Sequence, residues 1–291
     1  MAAEKTNFSI VRMVRLLEVS RSGYYAWRDR KPSERQLRRE TIEQKIAGFH
    51  DDSDEVYGAP RILADLREGG EIISRKTVAT TIRRLGLAGI SPRKWKTTTV
   101  IDHADAYPVD AVKRQWDTGE LNRVWVGDIT YLRTWEGWNY LATVIDAHSR
   151  RVIGWAIADH MRTDLIQDAL VMAMALRSNR PDQITFHSDR GTQYASAQIA
   201  AFAEANGITR SMGYTGICWD NAMAESFFAT LKTEFYYRRV WPTKARAALE
   251  VGAWIEERYN RRRRHSALGQ VSPVEFELQY SSQPAEVLLA A

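Results

Sequence analysis

One acid interrupts the most strand-like run of this chain, and it restricts what the chain can fold into. In N-R-V-W-V-G-D-I-T-Y-L, residues 122–132, the β-branched and aromatic side chains of Val124, Trp125, Val126, Ile129, Tyr131 and Leu132 read as a strand with Asp128 in its middle. An unpaired carboxylate inside a central strand is costly, so Asp128 must be paired, neutralised or bound to metal, unless the strand is an exposed edge. A second stretch repeats the problem. Ile184 to His187 reads as a short strand ended by the turn chemistry of Ser188-Asp189-Arg190-Gly191, which puts Asp189 at a strand's carboxyl end. Asp220 is placed to cap a following helix in which Ala224, Phe227, Phe228, Leu231 and Phe235 share one apolar face. At about 100° per residue, Glu225 and Lys232 fall within roughly 20° of each other at the border of that face. Taken singly, these acids also have ordinary accounts, Asp128 on an edge strand and Asp189 and Asp220 in turns.

Taken together they carry a resemblance. W-V-G-D-I-T-Y, H-S-D-R-G-T-Q-Y, W-D-N-A-M-A-E-S-F-F-A-T-L-K-T-E and Y-N-R-R-R-R-H-S-A-L-G-Q-V-S-P-V-E-F, which together span most of the chain, resemble the DDE transposases of insertion-sequence family three. The interval from Asp189 to Glu225 encloses residues 190–224, the spacing that this family shares with retroviral integrases. The resemblance implies an α/β fold, an RNase H-like mixed sheet flanked by helices and preceded by an all-helical helix-turn-helix region. It implies Asp128, Asp189 and Glu225 as the catalytic, metal-holding triad, and Lys232 as a contact to the DNA end.

Composition agrees. A chain of 291 residues that is 44% hydrophobic and 26% charged can bury a sizeable core, and its length suggests about two domains. No apolar run approaches the ~20 residues of a membrane span, so a cytoplasmic, nucleoid-associated protein is expected. The single cysteine, Cys218, excludes an internal disulfide and a multi-cysteine zinc site. Residues 1–100 carry 20 Lys and Arg against 13 Asp and Glu, whereas the remainder carries 21 against 23. Between Ile72 and Ile101 stand Arg75, Lys76, Arg83, Arg84, Arg93, Lys94 and Lys96 with no acid among them, the footprint of a polyanion partner.

In chain order, short helices are expected at Phe8 to Glu18, with Ile10, Val11, Val14 and Leu17 inward, then from Ser20, then from Ser33 to Phe49. A helix opening near Pro60 and stopping at Gly69-Gly70, followed by one capped by Ser74 over Arg75 to Leu85, makes a helix-turn-helix candidate near 59–86. The second helix would face DNA, with Arg75, Lys76, Arg83 and Arg84 on phosphates; a purely structural helical hairpin is the alternative. Residues 1–90 thus form a helical DNA-binding region, 91–120 a linker, 121–240 the catalytic core and 241–291 a C-terminal helix and basic tail. The core would run strand 124–132, strand 138–146, strand 151–158, helix 163–177, the Ile184 strand, helix 196–206, strand 208–211 and the Glu225 helix. Asp146 reads as a strand-end residue and His187 as structural. A long helix from Thr243 to Arg264 would end in Arg261, Arg262, Arg263 and Arg264. Four arginines exceed what the helix macrodipole needs, which points to the DNA backbone.

Three converging carboxylates repel one another unless cations intervene, and two Mg²⁺ about 3.5–4 Å apart are the expected occupants, with Mn²⁺ a substitute. The resemblance implies nicking at the ends of the protein's own element, attack of the freed 3′ hydroxyl on another phosphodiester so that one end joins the other, later insertion of a circular intermediate into target DNA, and a homo-oligomer on DNA. It further implies an upstream-frame partner or fusion, because the chain lacks a heptad stretch and reads as the downstream product. Two other classes share part of the pattern: a DNA-binding regulator, which has no use for the three acids, and an RNase H-like nuclease, which has no use for strand joining.

Overall fold

The computed structural model describes residues 6–91, 112, 117–178, 180–213 and 222–282. The chain divides into two compact units, the first ending at Ala88 and the second starting at Gly89. Residues Arg93, Lys94, Lys96, Cys218 and Asp220 lie outside the described residues.

The first unit is helical: α1 Ile10–Leu16, α2 Arg21–Arg28, α3 Glu34–Asp52, α4 Ala59–Glu68 and α5 Arg75–Arg84. Serine side chains start four of them, Ser9, Ser20, Ser33 and Ser74 each accepting a backbone N–H of the first turn. Gly70 ends α4 at φ 80° and Gly86 ends α5 at φ 70°, conformations in which a side chain is strained. Helices α3, α4 and α5 close on Ile46, Ile62, Leu66 and Val78, all fully buried. In α1 the inward residues are Met13 and Val14, while Val11 and Leu17 are exposed, contrary to the helical-period expectation. Seven residues make barely two turns, so neighbouring chain rather than periodicity decides which side is covered.

The second unit is built on a five-stranded sheet in the order β3-β2-β1-β4-β5, with β1 Val124–Thr134, β2 Gly137–Asp146, β3 Val152–Ala158, β4 Ile184–Ser188 and β5 Ile208–Met212. The first three strands are an antiparallel meander, and β4 and β5 run parallel to β1. Alternation along β1 divides the core in two. Val126 and Leu132 face α9 Ala222–Glu234 and α10 Lys244–Ala253 through Phe227, Leu231 and Val251. Trp125 and the opposite face of β2 and β3 pack on α6 Thr163–Leu176 and α8 Ala197–Ala205 through Leu165, Leu170 and Ile199. Contact with α6 is close enough that a Cβ on Gly154 would stand 2.1 Å from the carbonyl oxygen of Ala169.

The long C-terminal helix differs from expectation. Beyond Ala253 it widens into π-helical turns over Trp254–Asn260 and stops before the arginines. Its last residue, Asn260, is buried and meets the edge strand β3, accepting the Val152 N–H at 3.0 Å and donating to the Val152 carbonyl at 2.9 Å. Edge strands need such cover against further pairing. A helix not separated in the sequence reading, α11 Pro273–Ser282, completes the unit.

Candidate active site

The register of β1 explains why Asp128 and Asp189 approach one another. Strand β1 pairs with β4 only at Val124, Trp125 and Val126, the last opposite His187. Asp128 follows two residues later, where the parallel ladder has ended and β4 gives way to the Ser188-Asp189 turn. Residue 127 is glycine because the Phe186 ring of β4 lies against it: a Cβ there would fall 2.3 Å from that ring. One Asp128 oxygen, Oδ1, accepts the Ile129 N–H at 2.7 Å. Asp189 Oδ1 accepts the Gly191 N–H at 3.1 Å, a turn that opens the short helix α7 Thr192–Ala195. Glu225 lies in the first turn of α9 and is exposed, while Lys232, two turns on, is half-buried; the buried face between them is Ala224, Phe227, Phe228 and Leu231. His187 is a structural neighbour, its Nδ1 2.9 Å from Ser211 Oγ.

The electrostatics single out Asp128. Burial pushes its carboxyl up, the charges of Asp189 and Glu225 push it further, and the Ile129 N–H and Lys232 offset only part of this, leaving it at about 8. Burial also raises Asp189, against the Gly191 N–H and His187. Burial raises Glu225 and lowers Lys232, the latter against the pull of Asp128. Asp128 is half-buried while Asp189 and Glu225 are exposed, so these acids sit at the mouth of the fold rather than sealed inside it. Among the described residues no three acidic, histidine or cysteine side chains are assembled closely enough to hold an ion. The acids are therefore coupled through Asp128 without forming a closed cage. The donor type, carboxylate oxygen with raised proton affinity beside one desolvated lysine, is the kind hard divalent cations prefer, although the three are not drawn together into an ion-binding set here.

The arginines at the end of the π-helical turns separate into two kinds. Arg261 and Arg262 are exposed. Arg263 is buried, and its Nε and Nη2 each donate at 2.7 Å to the two oxygens of buried Glu234. This corrects the expectation that all four face DNA: Arg263 is engaged inside the unit. Arg264 is half-buried and donates to the Gln270 carbonyl at 2.7 Å. In the first unit Arg75, Lys76, Arg83 and Arg84 are exposed on α5, with Arg84 also paired to Glu43. Sequence reasoning quoted Tyr194 within its motif and gave it no role. It is buried beside both aspartates, and the signal for it was an aromatic following D-R-G by three residues where a turn alone needs none.

Models of known families match along most of the chain: an integrase core domain over residues 120–218, a second integrase core domain over 206–273, and an HTH-like domain over 36–95. Transposase InsF for insertion sequence IS3A, from Escherichia coli strain K12, is 40% identical over 275 residues, covering 94% of this chain and 95% of that protein. The chain belongs to the IS3 family of transposases. Another relative of this IS3-family chain is a 31 kDa protein of insertion element IS600 from Shigella sonnei, 36% identical and matched over 94% of this chain and 100% of its own length. Among solved structures, the HTLV-2 integrase catalytic core domain in complex with magnesium, in its trimeric form, aligns with 14% identity and a TM-score of 0.42 over 53% of this chain and 95% of that one. The IS3-family chain keeps the mixed five-stranded sheet flanked by helices and the helical N-terminal region that the sequence implied. Among its described residues no helix is long and apolar enough to cross a membrane.

Proposed function

We propose that the chain is a polynucleotidyl transferase that cuts and rejoins DNA strands in transposition, with Asp128, Asp189 and Glu225 as its catalytic acids. The observation that carries this reading is the coupling at Asp128, whose carboxyl burial and the charges of Asp189 and Glu225 push up to about 8, so that its charged form calls for a cation. Asp128, Asp189 and Glu225 would hold divalent metal, Mg²⁺ or Mn²⁺. When bound, such ions supply Lewis-acid polarisation of a phosphoryl oxygen and a more acidic attacking oxygen. Asp128 is fixed by the strand ladder and the Ile129 N–H, and Asp189 by its Gly191 turn, so these two form the rigid half of the site. Glu225 sits on a separate helix and completes the site from across it. Lys232, on the same side of that helix, is placed to take a DNA phosphate, a role that its desolvation favours by making a counter-anion more valuable.

In the first step water attacks phosphorus and the bond to the 3′ oxygen breaks, leaving a 3′ hydroxyl and a 5′ phosphate. In the second, that hydroxyl attacks another phosphodiester, one phosphorus–oxygen bond forming as one breaks, so no ATP is needed. Neither step uses a protein nucleophile. Exposed Arg75, Lys76, Arg83 and Arg84 on α5, Arg93, Lys94 and Lys96 after it, and Arg261, Arg262 and Arg264 are assigned to the DNA backbone. The test is incubation of the full chain with a duplex bearing the ends of its element, with Mg²⁺ or with EDTA, beside Glu225→Gln. Metal-dependent nicking and joining that vanish in the variant support the reading. Binding without cleavage, unchanged by the variant, would replace it with a DNA-binding regulator, and nicking without joining with a nuclease.

A further inference from the structure

Tyr194 is buried, and its hydroxyl has no hydrogen-bond partner among the described residues. Buried hydroxyls are nearly always satisfied, so an orphan calls for an occupant that the resting chain does not provide. The ring is as informative as the hydroxyl. Its Cε1 edge faces Gly127, where an added Cβ would stand 3.4 Å away, and its Cδ2 edge faces Gly191, where the distance would be 3.6 Å. Gly127 immediately precedes Asp128, and Gly191 lies two residues after Asp189. The Tyr194 N–H is itself tied to the Gly191 carbonyl at 2.9 Å, and the Phe186 ring lies 6.0 Å away, centroid to centroid. The ring is thus a spacer wedged between the strand of one acid and the loop of the other. Each acid has its Oδ1 on a backbone N–H, from Ile129 and from Gly191, which leaves both Oδ2 atoms for other donors. The charges of both acids reach the Tyr194 hydroxyl.

We propose that Tyr194 is a positioning residue for the Asp128–Asp189 pair: its ring sets the separation of strand and loop, and its hydroxyl donates, directly or through one enclosed water, to carboxylate oxygens of the pair when the pair holds a cation. Donation from behind holds a ligating carboxylate in one orientation and keeps it ionised, as partners of ligands do in metal sites generally. The proposal rests on the reading of these acids as a metal-bearing centre.

The test uses the full chain and its Tyr194→Phe and Tyr194→Leu variants, with Mn²⁺ binding followed by electron paramagnetic resonance and melting followed in EDTA. Tyr194→Phe keeps the spacer and removes an unsatisfied hydroxyl, so in EDTA it melts at or above the wild-type temperature while binding Mn²⁺ about ten-fold more weakly. Tyr194→Leu also removes the spacer, so it melts lower and binds Mn²⁺ more weakly still. An idle core hydroxyl would leave the Mn²⁺ affinity of Tyr194→Phe equal to that of wild type, and this result overturns the proposal alone. Absence of Mn²⁺ binding by the wild-type chain overturns the underlying reading as well.

Discussion

Asp128, half-buried, and Glu277, buried, are carboxylates of the same unit that end in opposite states. Glu277, on α11, accepts Ser149 Oγ at 2.7 Å, Arg151 Nη1 at 2.6 Å and both terminal nitrogens of Arg177. Burial alone would push its carboxyl up, but the Arg177 hydrogen bond and charge, with Ser149 and Arg151, outweigh it and hold the group below the usual carboxylate range. Beside it Asp146, wholly buried, takes the N–H groups of Asn122, His148 and Ser149 at 2.7–3.1 Å and so closes the β2–β3 turn. Asp128 suffers the same desolvation, but two acids and one backbone N–H are its company, and it rises to about 8. The fold balances one group with its own side chains and leaves the other for a ligand to balance. That contrast separates Glu277 from Asp128, whereas Asp146, also pushed up by burial, is told apart by the three N–H groups that occupy its oxygens.

Activity should break along this line first. Asp128→Asn, Asp189→Asn and Glu225→Gln should each reduce nicking and joining by at least about 10³-fold, more than ~4 kcal/mol in the barrier, with no loss in melting temperature. Glu277→Gln should retain the specific activity of whatever fraction is folded. Equal specific activity across the two groups in a gel assay would dissolve the distinction. Stability should break the other way. Glu277→Ala strands Arg151 and Arg177, and Arg263→Ala strands the buried Glu234, so each should lose about 3–5 kcal/mol in urea titrations. Glu225→Gln, at an exposed position with raised proton affinity, should be neutral or slightly stabilising.

What the sequence disclosed, and what it hid, follows the range of the interactions. Strands β1 to β5 and the helix carrying Glu225 were legible because alternation, turn residues and caps are local, and Asp128 because a charge in a strand contradicts its own surroundings. Their convergence was legible only through the resemblance. The Glu277 clasp was not legible: its partners Ser149, Arg151 and Arg177 lie 128, 126 and 100 residues away, and nothing local distinguishes α11 from a surface helix. Arg263 was misjudged for the same reason, since four consecutive arginines look alike until Glu234, 29 residues earlier, selects one of them. The widening of α10 at Trp254 also has no local signal. It accompanies Trp155, whose ring would meet a Cβ on Gly252 at 2.4 Å and whose Nε1 donates to Glu256 at 2.9 Å.

A smaller effect sharpens the account of Asp128. An unfolded aspartate titrates near 3.9, whereas in the folded chain Asp128 titrates at about 8. Between those values the folded state binds the proton more tightly than the unfolded one, so the contribution of this group to stability is present at low pH and lost as pH rises through the window. Asn at this position cannot ionise. In EDTA, wild type and Asp128→Asn should therefore melt together near pH 4 and diverge progressively by several degrees as pH rises to about 8, with the variant the more stable. Added Mg²⁺ should narrow the gap by stabilising the wild type alone. A gap independent of pH would mean that Asp128 is compensated in the way Glu277 is.

The smallest expected effect concerns the arginine run, where the same contrast recurs with cations. Arg263 is already matched by Glu234, whereas Arg261 presents its charge at the surface. If exposed charge is what DNA uses, Arg261→Ala should leave the urea midpoint unchanged and flatten the slope of log affinity against log salt by about 1, uniformly across sequences. Arg75→Ala on α5 should do the same by an independent contact. Arg263→Lys is the complementary case: it keeps the charge, forfeits the two-pronged contact with Glu234, and should lower the melting temperature without altering the salt slope. An unaltered slope in Arg261→Ala would remove this arginine from the DNA path and leave α5 and Lys232 to provide it.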